Sequence, residues 1–152
     1  MLNFFTTLAS FWPTSITNQN QNNFYYLSLL KNDKNIYGFS IHGLWSQYGN
    51  GGYPTFCKDI PFDITKLKSI EKDLITFWEL PNDTDKLEEQ FWKHEWLKHG
   101  TCMFTEMNEL EYFKKTLELY HKIHNLRLDI EKYKKGENYM IPFDLNFNLI
   151  RV

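Results

Sequence analysis

With 152 residues and 42% hydrophobic content, the chain is long enough to bury the core of one ordinary domain. A formal net charge of −2 and a pI near 6.2 exclude a global basic field for holding long duplex DNA, so any recognition of nucleic acid must be local. Five Trp, nine Tyr and thirteen Phe supply rings that suit a core, a sugar site or a base-stacking surface equally well.

The opening stretch MLNFFTTLASFWPTSI has no Lys or Arg ahead of its apolar residues, which Asn, Thr and Ser interrupt, so it does not read as a signal peptide. No run approaches the length of a membrane span, and a soluble chain is expected. Phe4 to Phe11 suits a strand ending at Pro13, and TNQNQNN at 17–23 suits an exposed, mobile loop. In IYGFSIHGLW, Tyr37, Phe39 and Ile41 alternate with Gly38, Ser40 and His42, a period of two that predicts a half-buried strand. His42 then shares a face with small residues, where a ligand has room. The following YGNGGYP is a Gly-rich surface loop, and it contains neither GxGxxG nor a Walker pattern that would suggest a nucleotide cofactor.

From Asp63, a good N-cap, Leu67, Ile70, Leu74 and Phe77 recur at helical spacing, predicting an amphipathic helix that ends before Pro81. A second helix is expected from about Asp85 to His99, with Gly100 in the left-handed position that ends helices. A third opens on the capping-box pair Asn108 and Glu111 and runs through Leu110, Phe113, Leu117 and Tyr120 to about Ile130. The remainder turns at Gly136 into an extended segment. No repeat or change of composition divides the chain, so residues 1–152 are expected to form a single domain, as a monomer. Cys57 and Cys102 are too far apart for a CxxC pair, leaving one disulfide or two buried thiols.

The segment FWKHEWLKHGTC (91–102) concentrates the chemistry. On a helix turning about 100° per residue, His94, Glu95, Lys98 and His99 share one side. A solvated charged face is the ordinary alternative. Against it, Trp92 and Trp96 flank the group, and two of the five histidines in the chain lie here. The pair HE opens the HExxH motif of zinc proteases, but the second His comes one residue late and its ring is swung by about 140° instead of 40°, so the two imidazoles do not converge on one metal. Cleavage of RNA by its own 2′-hydroxyl instead needs a base, an acid and cationic donors around the phosphate. An imidazole pKa near 6.5 suits both proton transfers. Lys98 offers the fixed charge, and His42 is the candidate for the partner from elsewhere in the chain.

FSIHGLW (39–45) and FWKHEWLKHGTC resemble the two signature segments of the ribonuclease T2 family, metal-independent endoribonucleases often with acid optima. FWPTSI resembles the end of that family's first strand, GGYPTFC the loop after the first signature, and NELEYFKKTLELYHKIHNL the helix after the second, so the likeness runs over most of the chain. The resemblance implies an α+β fold, an antiparallel sheet flanked by helices. It implies single-stranded RNA as substrate, cleavage through a 2′,3′-cyclic phosphate, and no cofactor or metal. Carried onto these positions, His99 is the general base, His42 the general acid and His94 a phosphate ligand, while Glu95 and Lys98 stabilise the transition state. Trp45 corresponds to a base-stacking residue, with core packing as its competing role, and Tyr48 and Tyr53 are further candidates for substrate contact or ordinary loop aromatics. Cys57 and Cys102 match a pair the family joins as a disulfide.

Ser46 and Gln47 depart from the Pro and Asp or Asn that usually follow HGLW. The cysteine expected near Ile16 is absent, and the chain is shorter at its C-terminal end than is typical. The family suggests a secreted, lysosomal or vacuolar protein. His121 and His124, outside both signatures, are read as surface or interfacial. The reading that competes with an enzyme is a catalytically inactive RNA-binding protein that retains the fold.

Overall fold

The computed structural model describes residues 22–81 and 88–151; the expected strand Phe4–Phe11 and most of the 17–23 loop lie outside these. Its sheet is built of β1 (Phe24–Lys31), β2 (Phe39–Gln47), β3 (Lys134–Lys135) and β4 (Asn138–Phe143), in the order β2-β1-β4-β3 with antiparallel pairing throughout. Helices α1 (Glu71–Phe77), α2 (Glu88–Lys98) and α3 (Glu109–Asn125) complete the α+β architecture that the signatures imply.

Strand β1 occupies a central position, paired with β2 on one side and β4 on the other. Tyr25, Leu27 and Leu29 are fully buried on one face, and Ser28 on the other is equally buried. Phe24, Tyr26 and Leu30 share the Ser28 face and are partly buried, so apolar residues stand on both faces and the sequence lacks the polar alternation by which a half-exposed strand is recognised. The extended segment after Gly136 is β4, and Gly136 makes the turn from β3 with φ +65°, a conformation glycine adopts without a Cβ clash.

The period-two reading of β2 is corrected in two respects. Phe39, Ser40 and Ile41 are all buried, so this stretch is covered on both faces, and Tyr37 precedes the strand with its ring stacked on His124. The register then shifts: Ser28 pairs with Gly43 but Leu29 with Ile41, which leaves His42 as the extra residue of a β-bulge. Strict alternation would set His42 and Trp45, three residues apart, on opposite faces. The bulge brings both to the same side, with ring centroids 4.9 Å apart.

Side chains from the helical layer occupy the outer backbone of β2. Tyr112 Oη donates to Leu44 O and accepts from Leu44 N, and Trp78 Nε1 donates to His42 O at 3.0 Å. These contacts satisfy strand groups at the bulge and fix its position. Tyr120 Oη donates to Phe39 O in the same way. Below them, Trp78, Trp96, Phe113 and Ile123 join the sheet residues in one continuous core.

Helix ends differ from expectation at three places. The segment capped by Asp63 starts as a 3₁₀ run (Ile64–Ile70) and becomes α only at Glu71, with Ile70 at φ −119° and ψ 6° marking the break. Helix α3 keeps its capping box but ends at Asn125, not near Ile130. There Arg127 takes the left-handed conformation (φ 52°), and bonds from Arg127 N to His124 O and Leu128 N to Ile123 O close a Schellman motif without glycine. Gly100 is not left-handed; it opens a 3₁₀ turn, and a Cβ there would lie 2.3 Å from Trp96 Cε3. Close packing, not backbone conformation, explains that glycine. Asn23, expected in an exposed loop, is buried, with its side-chain oxygen accepting the Gly49 N–H.

Candidate active site

A cleft of about 510 Å³ opens between β2, the second signature helix and the β3–β4 hairpin. His42, Trp45, Tyr53, His94, Glu95, Lys98 and His99 all line it, so two segments fifty residues apart in sequence meet as the motif reading requires. Tyr48 does not line it; its ring, half exposed, lies beside Phe104. Gln47, at a position where the family resemblance departs, also lines the cleft, as do Tyr26, Phe91, Lys135 and Met140, to which the sequence assigns no contact.

Glu95 is the hub. It sits on α2 between the buried rings Trp92 and Trp96 and is itself only 2% exposed. Oε2 accepts from Trp45 Nε1 at 2.9 Å, and Oε1 stands 3.5 Å from His42 Nε2. The Trp45 ring in turn stacks on His99, with centroids 4.8 Å apart and planes 24° from parallel. Carboxylate, indole and both imidazoles therefore form one connected group. Gly43 permits it: a Cβ there would fall 2.3 Å from Glu95 Oε2 and 2.5 Å from Trp45 Nε1.

Trp45 thus has a positioning contact as well as a face on the cleft. His99, just beyond the end of α2, is buried; its Nδ1 has no partner among the described residues, leaving Nε2 as the nitrogen open to a ligand. His94 is exposed at the rim with its ring edge toward Phe56.

Burial dominates the electrostatics. It pushes His99 down to about 3, helped by the charge of Lys98 and the neighbouring His42 and His94. His42 is also lowered by burial, against which a hydrogen bond to Asn138 pulls upward. Glu95 is pushed up to about 7 by burial, partly opposed by the Trp45 hydrogen bond and Lys98. Burial therefore favours the neutral form of all three groups, the His42 and His99 rings and the Glu95 carboxyl.

Glu95 gives a stability prediction with a definite sign. A folded pKa near 7, above the ordinary 4.5, means that the folded state holds the proton more tightly, so stability falls as pH rises through that window. The full effect is about 3 kcal/mol. Glu95→Gln removes the titration, so denaturant unfolding should show the variant gaining on the parent by roughly that amount between pH 4 and pH 8. An equal difference at both pH values would contradict it.

The loop carrying Tyr53 is tied to the end of α2. Cys57 and Cys102 form a disulfide with S–S 2.10 Å and Cα–Cα 5.2 Å, and Phe56 N donates to Lys98 O at 2.9 Å. Away from the cleft, His124 is half-buried, stacked 4.1 Å from Tyr37 and lowered to about 4 by burial, which makes it part of an aromatic cluster and not a free surface residue.

The family model described as "Ribonuclease T2 family" matches residues 3–134. Over 82 residues, 53% of this chain and 41% of the relative, the sequence is 45% identical to Ribonuclease MC of Momordica charantia. It is 43% identical to Ribonuclease T2 protein rnst-2 of Caenorhabditis elegans over 91 residues, 56% of this chain and 32% of the relative. Among solved structures, ribonuclease MC1 from bitter gourd seeds superposes with a TM-score of 0.59 at 30% identity, over 69% of this chain and 62% of that one. The matched segments thus span less than half the length of these two curated relatives.

Proposed function

Because the chain belongs to the ribonuclease T2 family, we propose that it is an endoribonuclease that cuts single-stranded RNA without a metal, through a 2′,3′-cyclic phosphate. The observation that carries this reading is the convergence of His42, Glu95 and His99 in one cleft, linked through Trp45.

In the proposed reaction His99 Nε2 removes the 2′-hydroxyl proton and the 2′-oxygen attacks phosphorus. His42, protonated, gives its Nε2 proton to the departing 5′-oxygen. Lys98 and the exposed His94 face the charge that builds on the phosphoryl oxygens, and Glu95 in its protonated form has a hydrogen to donate to them. Trp45 and Tyr53 offer ring faces to an unstacked base, as single-stranded RNA recognition requires. The disulfide suits an oxidising compartment, in keeping with a secreted or vacuolar protein.

The pH dependence follows from the two imidazoles. The base must be neutral, which His99 is above about 3, and the acid must be protonated, which requires pH below a value that burial has lowered from 6.5. In the free protein kcat/KM is therefore expected to peak on the acid side of 6.5. The test is incubation with single-stranded RNA across pH 3–8 in EDTA, with product ends identified by mass spectrometry. Cyclic phosphate ends and an acid optimum are expected. Intact RNA at every pH from a folded sample, or cleavage that EDTA abolishes, would overturn the proposal.

A further inference from the structure

We propose that Asn138, outside the family-matched segment, is the positioning residue that sets the tautomer and orientation of His42. This rests on the reading of His42 as general acid.

Asn138 opens β4, two strands away from His42 across β1. Its Oδ1 lies 2.8 Å from His42 Nδ1. An amide oxygen only accepts, so Nδ1 carries the proton of the neutral ring and Nε2 is left as the nitrogen that takes and delivers the catalytic one. Nε2 is also the nitrogen on the Glu95 side, 3.5 Å from Oε1. The two contacts hold the imidazole from both ends.

The meeting of these side chains depends on two features of the sheet. The bulge turns His42 onto the cleft side, and the register sets Asn138 opposite Leu30, two residues along β1 from Ser28, which pairs with Gly43 at the bulge, so the two side chains meet diagonally over β1. Gly136 supports the arrangement by making the turn that brings the start of β4 back beside β3. A side chain 96 positions from His42 in sequence thereby becomes part of the acid's setting.

The charged and titratable groups around His42 are Glu95, His94 and Lys98 from α2, His99 just beyond its end, Lys135 from β3 and Tyr26 from β1. Against the cations, a neutral acceptor at Nδ1 favours the protonated ring without adding a charge that would compete for the phosphate. A ring freed from it can place its neutral-state proton on Nε2 or rotate Nε2 away from the leaving oxygen.

The test combines kinetics with long-range ¹H–¹⁵N NMR of the imidazole, assigned through the His42→Ala spectrum. In the parent protein above the ring's pKa, Nδ1 should be protonated and Nε2 not. Asn138→Ala should shift the neutral ring toward Nε2–H and lower kcat by about 10–100-fold with KM changed less than about threefold. Asn138→Asp, which keeps the acceptor, should restore the tautomer and move the pH limb assigned to His42 upward. A parent ring with its proton on Nε2 overturns the proposal, as does an Asn138→Ala protein with unchanged tautomer and kcat within twofold. Loss of Nδ1 protonation in Asn138→Ala from a parent that cleaves no RNA would sink the ribonuclease reading while supporting the contact.

Discussion

His99→Ala is expected to lower RNA cleavage by roughly 10²- to 10⁴-fold, the range for loss of a positioned general base, with KM little changed. The ring is buried against Trp45, so loss of packing must be separated from loss of chemistry. His99→Gln provides the separation, since it fills much of the space without accepting a proton at mild pH. Both variants should unfold as cooperatively as the parent yet be inactive. His42→Ala should cost a similar factor, and the double variant little more than either single one, because acid and base serve one concerted step. Additive losses would mean that the two rings act independently, and a His99→Gln protein with near-parental activity would remove His99 from the reaction.

The proposed catalytic group was legible because its residues sit in two short segments whose chemistry is unusual for a solvated face. Helical spacing alone leaves a solvated charged face open for Glu95, and the flanking Trp92 and Trp96 argue against it. Both rings are buried and Glu95 is buried between them, with Trp45 donating to one of its oxygens. The β-bulge at His42 leaves no trace in a pattern of alternating residues, although it decides whether His42 and Trp45 share a face. Gly43 and Gly100 are a weak signal of close packing around α2: each allows a neighbour closer than a Cβ permits, Glu95 and Trp45 at Gly43 and Trp96 at Gly100.

Other features depend on pairing across the chain. Central β1 carries apolar residues on both faces, Tyr25, Leu27 and Leu29 on one and Phe24, Tyr26 and Leu30 on the other, so no alternation in the sequence marks it. Asn138, Trp78 and Tyr112 fix His42 and the β2 backbone from distant positions, and no local pattern marks them. The capping box of α3, by contrast, is a local device visible in the sequence, whereas the end of the helix is not, because Arg127 adopts the conformation usually reserved for glycine.

Replacing both cysteines, as Cys57→Ser with Cys102→Ala, is expected to lower stability by about 4 kcal/mol in the chain-entropy picture, given a closed loop of 45 positions. For a chain of this size that corresponds to a fall in Tm of roughly 8–16 °C. The bond also has a local consequence. It holds the Tyr53 loop against the end of α2, and Phe56 makes a backbone hydrogen bond to Lys98 beside it. Without the bond Tyr53 should leave the cleft wall more often, raising KM for RNA by several-fold at temperatures well below the new Tm, while kcat, which depends on His42 and His99, changes less. Thermal unfolding and steady-state cleavage on the same samples separate the effects: an unchanged Tm would refute the stabilising role, and a loss confined to kcat would show that the disulfide acts on the catalytic group and not on the wall that receives the base.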